Sequence, residues 1–280
     1  MQTLEKMEPM SAGQILDRTL KLYSHHWSLL LGISAVLTLP AAGIMIAINS
    51  FTQHALRNQN TSGMLIGGIL NLVAICLYGF VIYPWAQGAS TFAISERYLN
   101  REVGIGQAIG FGWRRLGTLF NVSMSIGLRV FIGMLLFVVP GIMWACSYVA
   151  ALPAVIIEGG KARDGMQRSR ELADGRRWSV FTVLMTIWLL SILLNIAFYF
   201  VVDIGFGAST FLGDLIYNVI SQGIGILLTP VGVIAATLLY YDFRIRKEGF
   251  DLEMLQQTLH EEFSTESDDQ QPPFNRDQGF

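Results

Sequence analysis

Charged side chains are scarce in this 280-residue chain, where Asp, Glu, Lys and Arg together make up only 14% of the residues. Soluble globular domains carry about 25% charged residues. Hydrophobic residues instead reach 52%, and the mean hydropathy is +0.46. The composition therefore excludes an ordinary soluble domain and predicts a chain that places its apolar surplus in lipid.

Cysteine and histidine are also rare, with two and four residues. Cys76 and Cys146 both lie in apolar runs, which favours small buried side chains over a disulfide or a metal pair. The sequence has no histidine with a second ligand at metal spacing, no glycine-rich phosphate loop ahead of a helix, and no serine–histidine–acid set. We therefore expect no catalytic residue, no metal, no cofactor and no nucleic-acid partner.

Apolar runs long enough to cross a membrane, which takes about 20 residues, occur six times. They cover residues 29–48, 64–85, 119–139, 142–157, 180–202 and 216–240, the fourth being short. The sequence thus predicts an all-α polytopic membrane protein with six transmembrane helices in a membrane domain over residues 1–250. The acidic composition of residues 251–280 predicts a largely disordered cytoplasmic tail.

Basic residues predict the orientation of the chain. Lys and Arg occur ahead of the first, third and fifth runs and after the sixth, whereas the opposite side carries only Arg57. Because basic loops stay cytoplasmic, both termini are expected there. The same charges either serve topology alone or also attract anionic lipid headgroups. The candidate lipid contacts are Arg114, Arg115, Arg168, Arg170, Arg176, Arg177, Arg244, Arg246 and Lys247.

A short pattern recurs ahead of the odd-numbered runs, as Gly13-Gln14, Gly106-Gln107 and Gly165-Met166-Gln167. In the first two copies, apolar residues follow at steps of four, three and four, which is one face of an α-helix. We predict three transmembrane hairpins, each preceded by an amphipathic interfacial helix. The alternative is that loops feeding a span are amphipathic by chance.

Arg129 is the charged residue that lies deepest in an apolar run. A charge there costs roughly 3 kcal/mol, so the side chain should face protein. In the neighbouring fourth run, Pro153 has no N–H to give to the Val149 carbonyl. We predict that Arg129 satisfies this carbonyl; the alternative is that Arg129 lines a cavity and binds an anionic substrate or headgroup. Nearby hydroxyls that complete the intramembrane polar contact are those of Ser147 and Tyr148.

The end of the sixth run predicts a helix that continues past the membrane, with ion pairs Asp242–Arg246 and Arg244–Glu248, and stops at Gly249. The stretch 238–249 is the most specific part of a resemblance that covers residues 10–252. Together with stretch 11–17 and the following Pro40, and with stretches 156–159, 168–170 and 175–178, it resembles the bacterial glycerophosphoryl diester phosphodiesterase membrane domain family. The resemblance implies a stand-alone module of a bacterial inner membrane, without the catalytic domain that some members carry, because too few residues follow the match.

Three functions are compatible with these features. We favour a non-enzymatic membrane module that organises or assists a membrane protein partner in envelope or lipid processes. A transporter or channel for a small or amphipathic solute is the alternative, although Arg129 has no mid-membrane carboxylate to form a proton relay with. An intramembrane lipid-modifying enzyme is least favoured, since no acid, base or metal cluster is present.

Overall fold

The computed structural model describes residues 9–98, 101–207 and 210–249. The predicted tail over 251–280 lies outside the described residues. Two units are distinguished: Met10–Tyr240, which holds nearly all of the helices, and a second unit to which residues 241–249 belong.

Helices account for nearly all of the described part of the chain, and no strand occurs there. In chain order they are α1 (Ala12–His25), α2 (Trp27–Arg57), α3 (Thr61–Leu77), α4 (Tyr83–Tyr98), α5 (Ile105–Arg114), α6 (Leu116–Leu136), α7 (Val138–Ser147), α8 (Ala151–Glu158), α9 (Ala162–Ala173), α10 (Arg177–Phe206) and α11 (Phe211–Glu248). A π-helical turn, Tyr78–Ile82, joins α3 to α4.

Six helical stretches of the described chain are long and apolar enough to cross a membrane. They are Trp27–Arg57, Thr61–Arg97, Leu116–Leu136, Val138–Glu158, Arg177–Phe206 and Phe211–Glu248. The predicted all-helical chain with six such helices is confirmed. Several of these stretches are longer than the roughly 20 residues that the hydrocarbon core requires.

Helices α1, α5 and α9 begin with the same type of N-terminal cap. In each, a side chain at the third helical position accepts a hydrogen bond from the backbone N–H three residues earlier, at 2.7, 3.1 and 3.2 Å; the pairs are Gln14 with Ser11, Gln107 with Gly104, and Asp164 with Lys161. This register aligns Asp164 with Gln14 and Gln107. The sequence pattern aligns Gly165 with the glycines of the other two copies. The caps shift that alignment by two residues, because a cap depends on position in the helix and not on the glycine.

Helix α9 packs closely on α8 through Gly165. A Cβ atom at this glycine would overlap Cγ2 of Val155 and would lie 3.0 Å from the Ala151 carbonyl oxygen. Helix α5 packs on α4 in a similar way at Gly112, where a Cβ would lie 2.8 Å from Cδ1 of Trp85. In both pairs a glycine permits the approach of two helix backbones.

The fourth apolar run is interrupted between α7 and α8. Pro153 lies in the first turn of α8, a position that tolerates proline because the missing N–H has no intrahelical partner there. The Ser169 hydroxyl of α9 spans the interruption: it donates to the Ser147 carbonyl at 2.9 Å and accepts from the Ala150 N–H at 3.2 Å. The single continuous helix that the run predicts is therefore two helices, with α9 satisfying the backbone between them.

Replacing Ser169 with alanine should destabilise the protein by about 1–3 kcal/mol, because two buried backbone groups would lose their partner. Thermal unfolding in detergent measures the loss. The matched control is Ser24→Ala, which removes an exposed hydroxyl that donates to the Lys21 carbonyl at 2.9 Å. Equal melting temperatures for the two variants would contradict this role of Ser169.

Helices α6 and α7 form a hairpin whose only non-helical residue is Phe137. Gly133 and Gly141 face each other across it, since a Cβ at Gly133 would lie 2.9 Å from the Gly141 Cα. The Phe137 N–H donates to the Gly133 carbonyl at 3.0 Å. The hairpin is therefore tightly closed at its tip.

The described part of the second unit confirms the predicted end of the last helix. Arg246 Nε lies 3.0 Å from a carboxylate oxygen of Asp242, and Arg244 Nε lies 3.0 Å from one of Glu248. Helix α11 ends at Glu248, and Gly249 follows with φ of 61°, a conformation that favours glycine.

Candidate anion-binding site

The site begins with the two faces of α9. Gly165, Ser169 and Leu172 are buried, and the first two contact α8 or the α7–α8 interruption. Arg163 and Arg170, seven residues apart, lie on the other face together with Gln167. Because close packing at Gly165 fixes the rotation of α9, the two arginines are held away from α8.

Arg163 and Arg170 line a cavity of about 700 Å³ together with arginines from two other helices. Its walls are Arg129, Tyr148, Arg163, Met166, Gln167, Arg170, Glu171, Asp174 and Arg177. Four arginines and two carboxylates give this lining a formal charge of +2. Arg177 Nη2 lies 3.3 Å from Asp174 Oδ1, and Gln167 Nε2 donates to Glu171 Oε1 at 2.9 Å, so both carboxylates already have partners.

An adjoining cavity of about 390 Å³ shares four of these residues and has no carboxylate in its lining. It is lined by Arg129, Met143, Trp144, Ser147, Tyr148, Arg170 and Arg177. Three guanidinium groups are thus placed around a space that also has an apolar wall, Met143 and Trp144. Both apolar residues are partly exposed, Met143 to 44% and Trp144 to 37%.

Arg129 belongs to this cavity and does not form the predicted contact with Val149. Its Nη1 donates to the Ser125 carbonyl of its own helix at 2.9 Å and lies 3.9 Å from the Met166 sulfur. The Val149 carbonyl is not its partner, because the helix interruption and α9 change the surroundings that equal steps from the hairpin turn predict. Ser147 and Tyr148, the hydroxyls predicted near Arg129, line the same cavity.

The guanidinium groups retain capacity for a ligand. No ion pair joins Arg163 or Arg170 to any residue within 9–98, 101–207 and 210–249. Arg177 has one ion pair, with Asp174. Arg177 is also the first residue of α10, where free N–H groups favour an anion.

The other predicted lipid-contact residues do not line this site. Arg168 pairs with Glu158 at 3.0 Å, and the same carboxylate oxygen accepts from the Tyr240 hydroxyl at 2.8 Å. Arg115 donates to the Gly159 carbonyl at 3.2 Å. Arg114 is exposed and Arg176 is half-buried. Arg244, Arg246 and Lys247 belong to the second unit.

Arg163 is the one arginine of the two cavities that the sequence analysis does not single out. The available signal is the spacing Arg163, Gln167, Arg170, which places three long polar side chains on one side of a helix whose other side is small or apolar. A count of basic residues per loop does not use that spacing, because it treats every arginine of the segment alike.

No family model, curated protein or solved structure matches this chain. The chemistry of the cavity therefore follows from its own residues. Within the described part of the chain, no three His, Cys, Asp or Glu side chains are grouped to hold a metal ion. What the lining offers is charge-assisted hydrogen bonds to a phosphate or carboxylate, next to an apolar wall.

Proposed function

We propose that this chain is a non-enzymatic membrane module that binds the anionic headgroup of a phospholipid between α6, α7, α9 and the start of α10. The observation that carries the proposal is the convergence of Arg129, Arg170 and Arg177 on one cavity without a carboxylate. Arginine presents several N–H donors in a plane that matches phosphate oxygens. Met143 and Trp144 supply apolar contacts for the glycerol and the first acyl carbons.

Electrostatics favour an anion over a neutral ligand. Asp174 compensates part of the charge of Arg177, and a bound phosphate relieves the repulsion that remains among the three guanidinium groups around about 390 Å³. Polybasic segments next to a membrane gain about 1 kcal/mol per residue from anionic lipid. A formed cavity adds direct hydrogen bonds to this general attraction, and each bond to a charged group contributes about 1.5–3 kcal/mol.

The double variant Arg129→Gln, Arg170→Gln should lower the affinity for phosphatidylglycerol by at least about 100-fold, since two charge-assisted contacts are lost. Native mass spectrometry of the purified protein, titrated with the lipid in detergent, measures bound lipid directly. Phosphatidylcholine, which has no net charge, is the comparison ligand and should bind weakly to both proteins.

The control is Arg101→Gln, which removes one positive charge, half of the change in the double variant, at a side chain that is 68% exposed and not part of the lining. Its affinity should stay within about twofold of the unchanged protein, because exposed charges contribute little. If Arg101→Gln weakened binding as much as the double variant does, general surface charge and not the cavity would hold the lipid.

A transporter or channel for an amphipathic solute is the second candidate function. It is favoured by polar contacts between otherwise apolar helices: Asn49 Nδ2 lies 3.4 Å from Asn218 Oδ1, and the Ser221 hydroxyl donates to Asn195 at 2.8 Å. Polar residues inside membrane helices often mark a solute path. Lipid or dye flux in proteoliposomes that depends on Asn195 would support this candidate over a static module.

We further propose a place in a bacterial cytoplasmic membrane, with both termini in the cytoplasm, and membership in the glycerophosphoryl diester phosphodiesterase membrane domain family. Support comes from the excess of basic residues on one side and from the stretches that resemble the family. The shared caps of α1, α5 and α9 support three repeated units, each an interfacial helix followed by a hairpin. A membrane protein partner in envelope or lipid processes fits such a module.

A further inference from the structure

The tip of the α6–α7 hairpin differs from the other two helix hairpins in having no polar side chain. Residues 130–146 contain no charged, amide or hydroxyl group, and Leu135 and Phe137 at the tip are 76% and 74% exposed. A tip that entered water would expose this apolar surface. The α2–α3 connection, in contrast, consists of Asn58, Gln59 and Asn60.

The two polar hairpins end at a common level. Arg57 at the end of α2 lies 3.9 Å from Asp214 near the start of α11. Asp203 lies close to the end of α10, just before the connection between α10 and α11. Charged and amide side chains at these ends mark a membrane–water boundary, here called the outer boundary.

The length of α10 gives the distance from the outer boundary to the arginine cavity. Arg177 and Asp203 are 26 residues apart in one uninterrupted helix, which corresponds to about 39 Å. The hydrocarbon core is about 30 Å thick, and even a tilt of 40° leaves about 30 Å along the membrane normal. Arg177 therefore lies at or beyond the opposite, cytoplasmic boundary, as does Trp178, an exposed aromatic of the kind found at such boundaries.

Arg129 lines the same cavity as Arg177 and so lies near the same boundary. Only seven residues separate Arg129 from Leu136, the end of α6, which is about 10 Å of helix. The hairpin tip therefore falls well short of the outer boundary. This placement also removes the cost of a charge in the hydrocarbon core, because Arg129 would sit in the headgroup layer.

Part of the backbone at the hairpin tip is paired, which lowers the cost of ending inside lipid, where unpaired N–H and C=O groups are costly. A single residue connects the two helices, and its N–H donates to the Gly133 carbonyl at 3.0 Å. Its carbonyl accepts from the Gly141 N–H at 3.5 Å. Pro140, in the first turn of α7, has no N–H that needs a partner.

We propose that α6 and α7 form a re-entrant helical hairpin, which enters the bilayer from the cytoplasmic side and ends among the acyl chains of that leaflet. Four helical stretches then cross the membrane, those of α2, α3–α4, α10 and α11, and the predicted sidedness of every other segment is unchanged. The 13 residues of α6 that precede Arg129, about 20 Å of helix, then lie on its cytoplasmic side, so α5 lies farther from the hydrocarbon core than the interfacial position predicted for it. This inference concerns the depth of the hairpin and holds whether or not the cavity binds a headgroup.

Spin labels at single cysteines test the proposal in phosphatidylglycerol-containing vesicles. Cys76 is replaced by alanine; Cys146 is buried and stays in place, and the protein without an added cysteine must take no label. Labels at Val139 and Gln59 are compared by their relative exposure to oxygen and to a water-soluble nickel chelate, which reports depth. A label at Leu135 repeats the measurement if the Val139 variant does not fold.

We expect the Val139 label in the hydrocarbon core, about 10 Å from the cytoplasmic phosphates and shielded from the nickel chelate. The Gln59 label should be accessible to the chelate. Such a depth supports the re-entrant hairpin. A Val139 label at the outer boundary, as accessible as Gln59, would overturn it in favour of a complete crossing. A label in cytoplasmic water would overturn it as well, because the hairpin would then not enter the bilayer.

Discussion

Replacing Gly165 with leucine should disrupt the packing of α9 on α8 and abolish high-affinity binding of anionic lipid. A Cβ alone would overlap Val155 and crowd the Ala151 carbonyl, and the backbone of α8 cannot yield as a flexible side chain would. Overpacking usually costs 1–3 kcal/mol, and a leucine against backbone should exceed about 3 kcal/mol. Because α9 carries Arg163 and Arg170, its displacement also opens the cavity.

Two measurements separate these consequences: the melting temperature in detergent and the amount of phosphatidylglycerol bound by native mass spectrometry. The matched control is Gly106→Leu in α5, where a Cβ would have no atom within 4 Å. This control should gain up to about 1 kcal/mol, since leucine favours a helix more than glycine does. A Gly165→Leu protein that melts and binds like the control would disprove the close packing.

Replacing Gly133 with leucine should separate the two arms of the α6–α7 hairpin. Its Cβ would lie 2.9 Å from the Gly141 backbone and 2.9 Å from the Trp144 ring, leaving no room for the remaining side chain. We expect a loss of more than about 3 kcal/mol, with much of the protein aggregated on extraction. Size-exclusion chromatography of the detergent extract gives the folded fraction.

Gly117 offers a control within the same helix, because a Cβ there would have no atom within 4 Å. Gly117→Leu should leave the monodisperse fraction unchanged or slightly raised. If both variants were extracted equally well, the hairpin arms would have to be farther apart than Gly133 and Gly141 place them. Helix propensity cannot produce the difference, since both variants change glycine to leucine inside α6.

Much of the helical framework follows from the sequence because it depends on local composition. Six runs of apolar residues predict six long apolar helices, and the ion pairs of Asp242 and Arg244 follow from their i,i+4 spacing. The end of α11 before Gly249 follows from the conformational freedom of glycine. Each of these features needs only residues that are near one another in the chain.

The site is less predictable because it depends on contacts between distant segments. The interruption between α7 and α8 depends on Ser169, which lies 22 residues after Ser147 in the chain. The Ser169 hydroxyl forms hydrogen bonds with both backbone groups that the interruption leaves free. Without that contact, Pro153 predicts a kinked continuous helix and a vacant Val149 carbonyl. Arg129 is identifiable as unusual from the sequence, but its cavity requires α9 to fold back along α8, which no periodicity indicates.

A structure of the protein in nanodiscs that contain phosphatidylglycerol tests the central claim most directly. We predict density for a phosphate within about 3 Å of the guanidinium nitrogens of Arg129, Arg170 and Arg177, with acyl density running past Met143 and Trp144. A cavity without lipid density, in a map that resolves phosphates elsewhere around the protein, would contradict the proposal that these arginines form a headgroup site.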